Sequence, residues 1–189
     1  MRVAYADPPY LGQGAKYAEL HPEALIWNDP ETHRDLINRL VDEYEDGWAL
    51  SATSQSLRTI LPMCPQTVRV MAWVKPFAAF KKNVNPAFAW EPIIVNGGRP
   101  RTDKMTYMRD WVAESITLKK GLTGAKPENV CFWLFDVMNM VPDDTLDDLF
   151  PGTGIVSESW IKYQTDYKQI ASRMNRVSYS WEMGKGTER

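Results

Sequence analysis

Four residues near the start of the chain, Asp7-Pro8-Pro9-Tyr10, have types and an order that could do chemistry. They directly follow a short apolar run, residues 1–6, which is typical of a buried β-strand. Each proline fixes its own φ and disfavours helical geometry in the residue before it, so we predict a stiff, extended loop. In such a loop the Asp7 carboxylate and the Pro8 carbonyl oxygen can face the same way, with the Tyr10 ring beside them.

That arrangement suits an exocyclic amino group. The amine of adenine is a poor nucleophile because its lone pair is delocalised into the ring. Two acceptors on its hydrogens, Asp7 and the Pro8 carbonyl, would favour a nucleophilic geometry while Tyr10 stacks on the base. The alternative is purely structural: a strand followed by a proline turn, in which Asp7 caps a helix.

A second candidate stretch is Asp148-Leu149-Phe150-Pro151-Gly152-Thr153-Gly154. We predict a strand over residues 145–150 and a helix over residues 155–163, with the glycines between them. Glycines let the backbone approach a ligand closely and leave the N–H groups at the helix start free. A Gly-x-Gly pair alone is most often a turn, so the strand, loop and helix context carries this prediction.

The two stretches could lie together in space. In an open parallel sheet, ligands bind beyond the carboxyl ends of the strands, where the strand order reverses. Both stretches follow predicted strands. If the first and last strands are central neighbours in the sheet, the two loops lie side by side although they are far apart in sequence.

Asp7-Pro8-Pro9-Tyr10 resembles the catalytic motif of amino-group DNA methyltransferases that use S-adenosylmethionine, and residues 148–154 resemble their cofactor motif. The order, catalytic motif first and cofactor motif last, resembles the permuted subclass, which also includes the messenger-RNA adenosine methyltransferases. Small proteins of this pattern are common in phages and prophages of actinobacteria. Lys126-Pro127 resembles the helix entrance that borders the cofactor in this family.

The resemblance implies an α/β fold: a Rossmann-like methyltransferase sheet, mostly parallel with an antiparallel hairpin, and circularly permuted. It implies that Asp7, Pro8, Pro9 and Tyr10 are catalytic. It also implies a set of residues that bind S-adenosylmethionine: Lys126, Pro127, Asp148, Phe150, Pro151, Gly152, Thr153 and Gly154.

One feature departs from the family pattern. The family usually places an acidic residue, which binds the ribose hydroxyls, at the end of the strand after the cofactor helix. Residues 165–189 show no convincing strand that carries one. Glu158, Asp166 or a residue from elsewhere could substitute, or the sheet could be shortened.

Composition favours one globular domain spanning residues 1–189, because 44% of the residues are hydrophobic and 12% aromatic. Cys64 and Cys131 lie far apart, and His21 and His33 are the only histidines, so the sequence supports neither a zinc site nor a disulfide framework. We expect no metal. No apolar run approaches about 18 residues, and no basic leader with an apolar core precedes the first strand, so we expect no membrane association and a cytoplasmic location.

The net charge of -2 is unevenly distributed. Residues 75–126 contain ten basic and four acidic residues, a balance of +6, so the rest of the chain carries -8. This segment is also rich in aromatic residues, a combination that suits phosphates and bases. An ordinary solvated loop is the alternative. The candidate substrate-binding residues are Lys75, Lys81, Lys82, Arg99 and Arg101.

The remaining elements follow from the hydrophobic period and the chain breakers. We predict a helix capped by Asn28 or Asp29 and ended at Asp46-Gly47, a second at 54–63 and a third from 124 to 137, with further strands at 48–52, 68–75 and 90–98. The last two strands are close in sequence, which predicts an antiparallel hairpin, and Pro92 predicts that its second strand lies partly at a sheet edge. Residues 99–123 lack a strong period and are predicted to form a mobile substrate loop.

The leading hypothesis is an S-adenosylmethionine-dependent methyltransferase that acts on the N6 amine of adenine in DNA, in a phage-infected or prophage-bearing bacterial host. Asp at the first motif position, where other members have Ser, favours adenine by resemblance. An RNA adenosine methyltransferase is the nearest alternative. A non-catalytic nucleic-acid-binding module on a degenerate methyltransferase fold is another, motivated by the missing ribose acid. With no separate target-recognition domain, base preference must come from the basic segment or from a second subunit, so a homodimer remains open.

Overall fold

The computed structural model describes residues 1–19, 21–77, 83–103, 105, 107–116 and 126–179. Short 3-10 helices occur at Gly14–Lys16, Pro22–Asn28 and Leu61–Met63. The other elements, in chain order, are β1 (Arg2–Ala6), α1 (Pro30–Glu43), β2 (Gly47–Ser51), α2 (Leu57–Ile60), β3 (Arg69–Val74), β4 (Trp90–Gly97), β5 (Trp111–Ala113), α3 (Glu128–Val137), β6 (Thr145–Asp148) and α4 (Ile155–Tyr179).

The six strands form one sheet in the order β5-β3-β4-β2-β1-β6. β1 is parallel to both β2 and β6, β3 is parallel to β5, and β4 runs antiparallel to its neighbours β2 and β3. Five strands therefore end at the same edge of the sheet, where β4 begins. We call this the carboxyl edge. The predicted mostly parallel α/β sheet with an antiparallel hairpin is confirmed.

Alternate side chains of β1, β2 and β4 pack into two hydrophobic clusters, one on each face of the sheet. Val3 and Tyr5 face the layer formed by α3 and α4, and Ala4 and Ala6 face the layer formed by α1 and α2. After the exposed Arg2, the remaining four residues of β1 are buried on both faces, which explains why they form a continuous apolar run.

Helix α1 forms as predicted from its capping residues. The Asp29 side chain accepts a hydrogen bond from the Glu31 backbone N–H, and Pro30 occupies the first turn, where it needs no hydrogen-bond partner. Leu36, Ile37 and Leu40 recur at helical spacing and are buried against the sheet.

The position of Pro92 corrects one prediction. Its strand, β4, lies between β2 and β3 and not at an edge. The last register pair between β2 and β4 is Ser51 with Ile93, and the Pro92 carbonyl accepts a hydrogen bond from Ala52 N at 3.1 Å, just past the end of β2. The N–H that Pro92 lacks would face Ala52, which lies past the last residue of β2, so the proline removes no hydrogen bond from within the β2–β4 ladder.

Two further elements differ from the predictions. Part of the segment predicted as a loop, residues 99–123, forms strand β5, which pairs with β3. Three residues are too few to show a period in the sequence, so only pairing with β3 defines this strand. The helix at 54–63 divides into α2 and a 3-10 turn, and α4 continues past residue 163 with a break in helical geometry at Asp166. Within the described residues, no helix has the length and apolar character needed to cross a membrane.

At the opposite edge of the sheet, a buried aspartate accepts hydrogen bonds from several segments of the chain. Asp144 accepts two hydrogen bonds from the Arg99 guanidinium, at 2.8 and 3.1 Å, and one from the N-terminal amine of Met1 at 2.6 Å. It also accepts the Val141 N–H at 2.8 Å. Desolvation opposes ionisation of Asp144, but these donors outweigh it and lower its pKa. The cluster joins the start of β1, the start of β6 and the segment after β4.

We expect Asp144→Asn to lower the free energy of unfolding by about 2 kcal/mol, because charge-assisted hydrogen bonds to a buried acceptor are lost. Asp143→Asn is the matched control, since this adjacent side chain is exposed and its substitution should change stability little. Urea unfolding of both variants measures the difference. Equal unfolding midpoints would contradict a structural role for Asp144.

Candidate active site

The two candidate loops leave adjacent strands. Tyr5 of β1 is paired in register with Asp148 of β6, and the Leu149 N–H donates to the Tyr5 carbonyl oxygen at 2.9 Å. The loop that begins at Asp7 and the loop that begins at Leu149 therefore emerge side by side at the carboxyl edge. The first and last strands are neighbours, as predicted, although β6 is the outermost strand among the described residues and not a central one.

A chain of four charged side chains crosses this edge. Lys126 Nζ lies 2.8 Å from Asp7 Oδ2 and 2.9 Å from Glu91 Oε1, and Lys75 Nζ lies 2.9 Å from Glu91 Oε2. Lys126 and Glu91 are buried, and Asp7 and Lys75 are partly exposed at the two ends. We call Asp7, Lys126, Glu91 and Lys75 the charged chain. Its two positive and two negative groups balance.

Burial and ion pairing act in opposite directions on the two inner members. Desolvation alone would lower the pKa of Lys126, but the carboxylates of Asp7 and Glu91 outweigh it and hold that pKa well above its usual range. Desolvation likewise opposes ionisation of Glu91, yet Lys126 and then Lys75 lower its pKa below the ordinary value. Both inner members, Lys126 and Glu91, are therefore ionised at neutral pH.

Aromatic rings flank the charged chain on the side of α3. Lys126 Nζ lies 5.8 Å from the centroid of the Tyr5 ring and 5.7 Å from that of Trp73. Lys75 Nζ lies 4.3 Å from the Trp73 centroid. Their π faces favour a nearby cation, which helps to hold the buried ammonium groups. The indole N–H of Trp73 donates to the Glu114 carbonyl at 2.7 Å, and Tyr5 Oη shares a hydrogen bond with Ser51 Oγ.

The Asp-Pro-Pro-Tyr loop lies over the end of the charged chain. Pro8 is buried, whereas Asp7, Pro9 and Tyr10 are partly exposed. Desolvation and the nearby Asp7 carboxylate raise the pKa of Tyr10 well above its usual value, so its hydroxyl stays neutral. Lys126 binds Oδ2 of Asp7, and no donor among the described residues contacts Oδ1. One carboxylate oxygen thus remains for a ligand.

The glycine loop has the backbone that its sequence predicts. Gly152 and Gly154 have positive φ values of 47° and 79°. A methyl group built at Gly152 would come no closer than 3.8 Å to another atom, so the space beside it is open. A methyl group built at Gly154 would lie 3.8 Å from Glu158 Oε1. The glycines are therefore required by backbone conformation, and the carboxylate of Glu158 lies beside the loop.

Asp148, the last residue of β6, holds the start of the glycine loop. Its Oδ2 accepts a hydrogen bond from Ser157 Oγ at 3.1 Å, which ties the end of β6 to the first turn of α4. Its Oδ1 is buried and has no hydrogen-bond partner among the described residues. Desolvation raises the pKa of Asp148, although the Ser157 hydroxyl and the nearby backbone N–H groups of Phe150 and Ser157 oppose the shift. An unpartnered buried acceptor is costly unless a ligand satisfies it.

Phe150 faces the other side of the sheet. Its ring packs edge-on against Trp27 with centroids 5.1 Å apart, and Trp27 in turn packs edge-on against His33 at 5.2 Å. Pro151 and Thr153 are exposed, and Pro127 caps the start of α3. Phe150 thus joins the glycine loop to the 3-10 helix at Pro22–Asn28.

Some predicted substrate residues lie elsewhere. Arg99 binds Asp144 and Arg101 donates to the Asp136 carbonyl, which places both at the edge opposite the charged chain. Lys75 is engaged by Glu91. Lys81 and Lys82 lie outside the described residues.

Glu91 is the member of the site that the sequence analysis missed. The signal was present, because a glutamate within the apolar strand β4 must be paired if both faces of that strand are buried. The sequence alone did not indicate which basic residue pairs with Glu91. Lys126 is 35 residues away in sequence, and only the assembled sheet brings it to Glu91.

No protein-family model and no curated protein matches the chain. Among solved structures, the complex of M1.HpyAVI with SAM superposes with a TM-score of 0.51 at 14% identity, covering 92% of this chain and 88% of that one. A candidate DNA modification methylase from Thermus thermophilus superposes with a TM-score of 0.49 at 15% identity, covering 94% and 87%. The superposition with M1.HpyAVI shows that the two chains share a fold.

We expect Lys126→Met to lower the free energy of unfolding by about 3 kcal/mol, because it leaves buried carboxylates without their shared cation. Lys162→Met is the control. Lys162 pairs with Glu128 at 2.8 Å, but it is half exposed, so its loss should cost less than about 1 kcal/mol. Urea unfolding at neutral pH compares the two. Equal losses would show that Lys126 is not buried in the charged chain.

Proposed function

We propose that this protein transfers a methyl group from S-adenosylmethionine to the N6 amine of adenine in DNA, using the whole chain as one domain. The observation that carries the proposal is the pairing of β1 with β6, which brings the Asp-Pro-Pro-Tyr loop and the glycine loop to one edge. The fold shared with M1.HpyAVI, a protein solved with SAM, supports the same assignment.

Asp7 is the residue that we assign to the target amine. Its Oδ1 can accept one amine hydrogen while Oδ2 stays on Lys126, and the Pro8 carbonyl can accept the other. The Lys126 ion pair keeps the carboxylate at a fixed position before a substrate arrives. Its negative charge then stabilises the positive charge that develops on the amine nitrogen during methylation. Tyr10, neutral and partly exposed, supplies the ring against which the base stacks.

The groups beside the glycine loop fit S-adenosylmethionine, which supplies an electrophilic methyl group on a sulfonium centre. Its methionine portion carries an ammonium and a carboxylate. The unpartnered Asp148 Oδ1 is an acceptor that suits the ammonium. Lys126 uses two of its three hydrogens on Asp7 and Glu91, so the third suits the carboxylate. Gly152 and Gly154 leave room for close approach of the ligand.

Glu158 is our candidate for the ribose hydroxyls. Of the two acids that the sequence offered, Glu158 lies beside Gly154, whereas Asp166 lies at the irregular turn two helical turns farther along α4. No strand follows α4 within the described residues, so the acid that the family resemblance implies has no equivalent there. Glu158 reaches the same loop from the helix.

Two assays separate this proposal from its alternatives. Calorimetry with S-adenosylmethionine should give measurable heat, and a non-catalytic binding module without a cofactor site would give none at millimolar ligand. Transfer of tritiated methyl groups should label phage and plasmid DNA, with the label recovered as N6-methyladenine. Label on RNA alone would replace DNA by RNA as the substrate.

Asp7→Ala should abolish methyl transfer and leave S-adenosylmethionine binding nearly unchanged, because Asp7 contacts the amine and not the cofactor, and Glu91 still holds Lys126. Asp7→Asn should be almost as damaging, since the amide can accept a hydrogen bond but lacks the negative charge. Methyl-transfer rates and calorimetry on the same preparations provide the comparison. Loss of cofactor binding in step with activity would remove Asp7 from this role.

Glu158→Gln should weaken S-adenosylmethionine binding about tenfold, the usual effect of losing a charge-assisted hydrogen bond. Asp166→Asn is the matched control and should bind with wild-type affinity. S-adenosylhomocysteine, which keeps the ribose, should show the same ranking in calorimetry. An unchanged affinity for Glu158→Gln would exclude this carboxylate as the ribose ligand.

A further inference from the structure

Within the part of the chain that the structure describes, no helix covers one face of the sheet at the β5 end. Trp73 points toward α3 and α4, so its neighbours in β3, Val70, Ala72 and Val74, alternate to the opposite face. The register places Trp90 of β4 beside Val74 and Trp111 of β5 beside Ala72, and residues paired in register share a face. These five apolar side chains therefore form one surface.

This surface is accessible, in contrast to the rest of the same face. Val70 and Trp90 are each 40% exposed and Trp111 is 41% exposed. Helices α1 and α2 cover the face over β1, β2 and the far half of β4, where Trp48, Leu50 and Ile94 are buried. We call Val70, Ala72, Val74, Trp90 and Trp111 the open face. Packing in the hydrophobic core does not account for two tryptophans on a sheet that are each about 40% exposed.

Positive charge accompanies the open face. The Arg109 guanidinium lies 5.1 Å from the centroid of the Trp111 ring, a cation–π contact that leaves its N–H groups able to bind a phosphate. Flat aromatic faces beside cations are the combination that binds single-stranded nucleic acid, since every base has a face that can stack.

The open face also reaches the candidate active site. Trp90 directly precedes Glu91, whose side chain points to the other face and belongs to the charged chain. Phe77 and Phe88, 52% and 49% exposed, lie just beyond the same end of the β3–β4 hairpin. A nucleic-acid strand that crosses the open face toward the start of β4 would therefore reach the carboxyl edge. There, Lys126 links Glu91 to Asp7.

We propose that the open face binds single-stranded DNA, stacking nucleotides that flank the target adenine on Trp90 and Trp111. This deepens the proposed function and rests on it for the identity of the target base. A duplex is a poorer ligand, because its bases are stacked on each other and present only their edges. A second copy of this chain is also a poorer fit. The two tryptophans and Val70 expose on the order of 300 Å², well below the roughly 800 Å² per partner of a stable interface.

Fluorescence anisotropy with a labelled single-stranded oligodeoxynucleotide, without cofactor, tests the proposal. Trp111→Leu and Trp90→Leu should each weaken binding about fivefold or more, because an aliphatic side chain cannot stack on a base. Trp111→Phe should keep most of the affinity. Arg109→Gln should flatten the dependence of log affinity on log salt by about 0.7 of a unit.

Ile161→Ala is the control variant, because Ile161 is 65% exposed on α4, on the other side of the sheet. It should bind like the wild type. Circular dichroism checks that each variant is folded. Photo-crosslinking of an iodouracil-containing strand to the unmodified protein gives a second readout that needs no variant, and we expect crosslinks at Trp90 or Trp111.

Three results would overturn the proposal. These are unchanged affinity of both leucine variants, crosslinks confined to other segments, or a wild-type dimer that both leucine variants convert to monomer without changing DNA affinity. Calorimetry with S-adenosylmethionine is run in parallel to separate this test from the proposed function. If cofactor binding is normal and the leucine variants bind DNA like the wild type, the open face is rejected as a DNA-binding surface and the proposed methyltransferase function stands. Absent cofactor binding with impaired DNA binding in the leucine variants rejects the methyltransferase and keeps the open face.

Discussion

The ion pair between Asp7 and Lys126 is the contact on which the site depends. An isolated carboxylate at the end of a buried strand would be costly, and an isolated buried lysine would be costlier still. Their attraction offsets the desolvation cost of both groups. Glu91 supplies a second negative charge beside the buried ammonium of Lys126. Because these residues come from the loop after β1, from β4 and from the start of α3, the pairing fixes three elements relative to one another. The position of Asp7 is set before any ligand binds.

Antiparallel β4 makes this network possible. In a wholly parallel sheet only strand ends would meet at the carboxyl edge. β4 enters there, so Glu91 lies near its beginning and projects from within the sheet, directly opposite Trp73 on β3. The same reversal carries Arg99 to the far edge, where it closes the ends of β1 and β6 around Asp144. One strand therefore serves the candidate site at its start and the stability of the sheet at its end.

Local patterns predicted most of the fold and placed the two candidate loops after β1 and β6. The strand before Asp7, the caps of α1 and the glycine loop are encoded within a few residues, so periodicity and capping rules found them. Other features depend on contacts between distant segments: the formation of β5, the pairing of Glu91, and the position of Arg99 at the edge opposite Lys126. A count of charges along the sequence treats residues 75–126 as one surface, but the strand directions distribute them over two edges and two faces. The chemical roles of the predicted residues remain predictions.

The pairing of β1 with β6 also constrains how the protein folds. Their register joins Arg2 with Thr145, so this contact brings together residues 143 positions apart in sequence. Long loop closure is slow relative to local contacts, and proteins rich in such contacts fold slowly. During synthesis, β1 leaves the ribosome first and can pair with β2 early, but its other edge waits until residue 148 has emerged. The Asp-Pro-Pro-Tyr loop and the glycine loop therefore cannot come together during most of translation, and until then an unpaired apolar strand edge is open to aggregation.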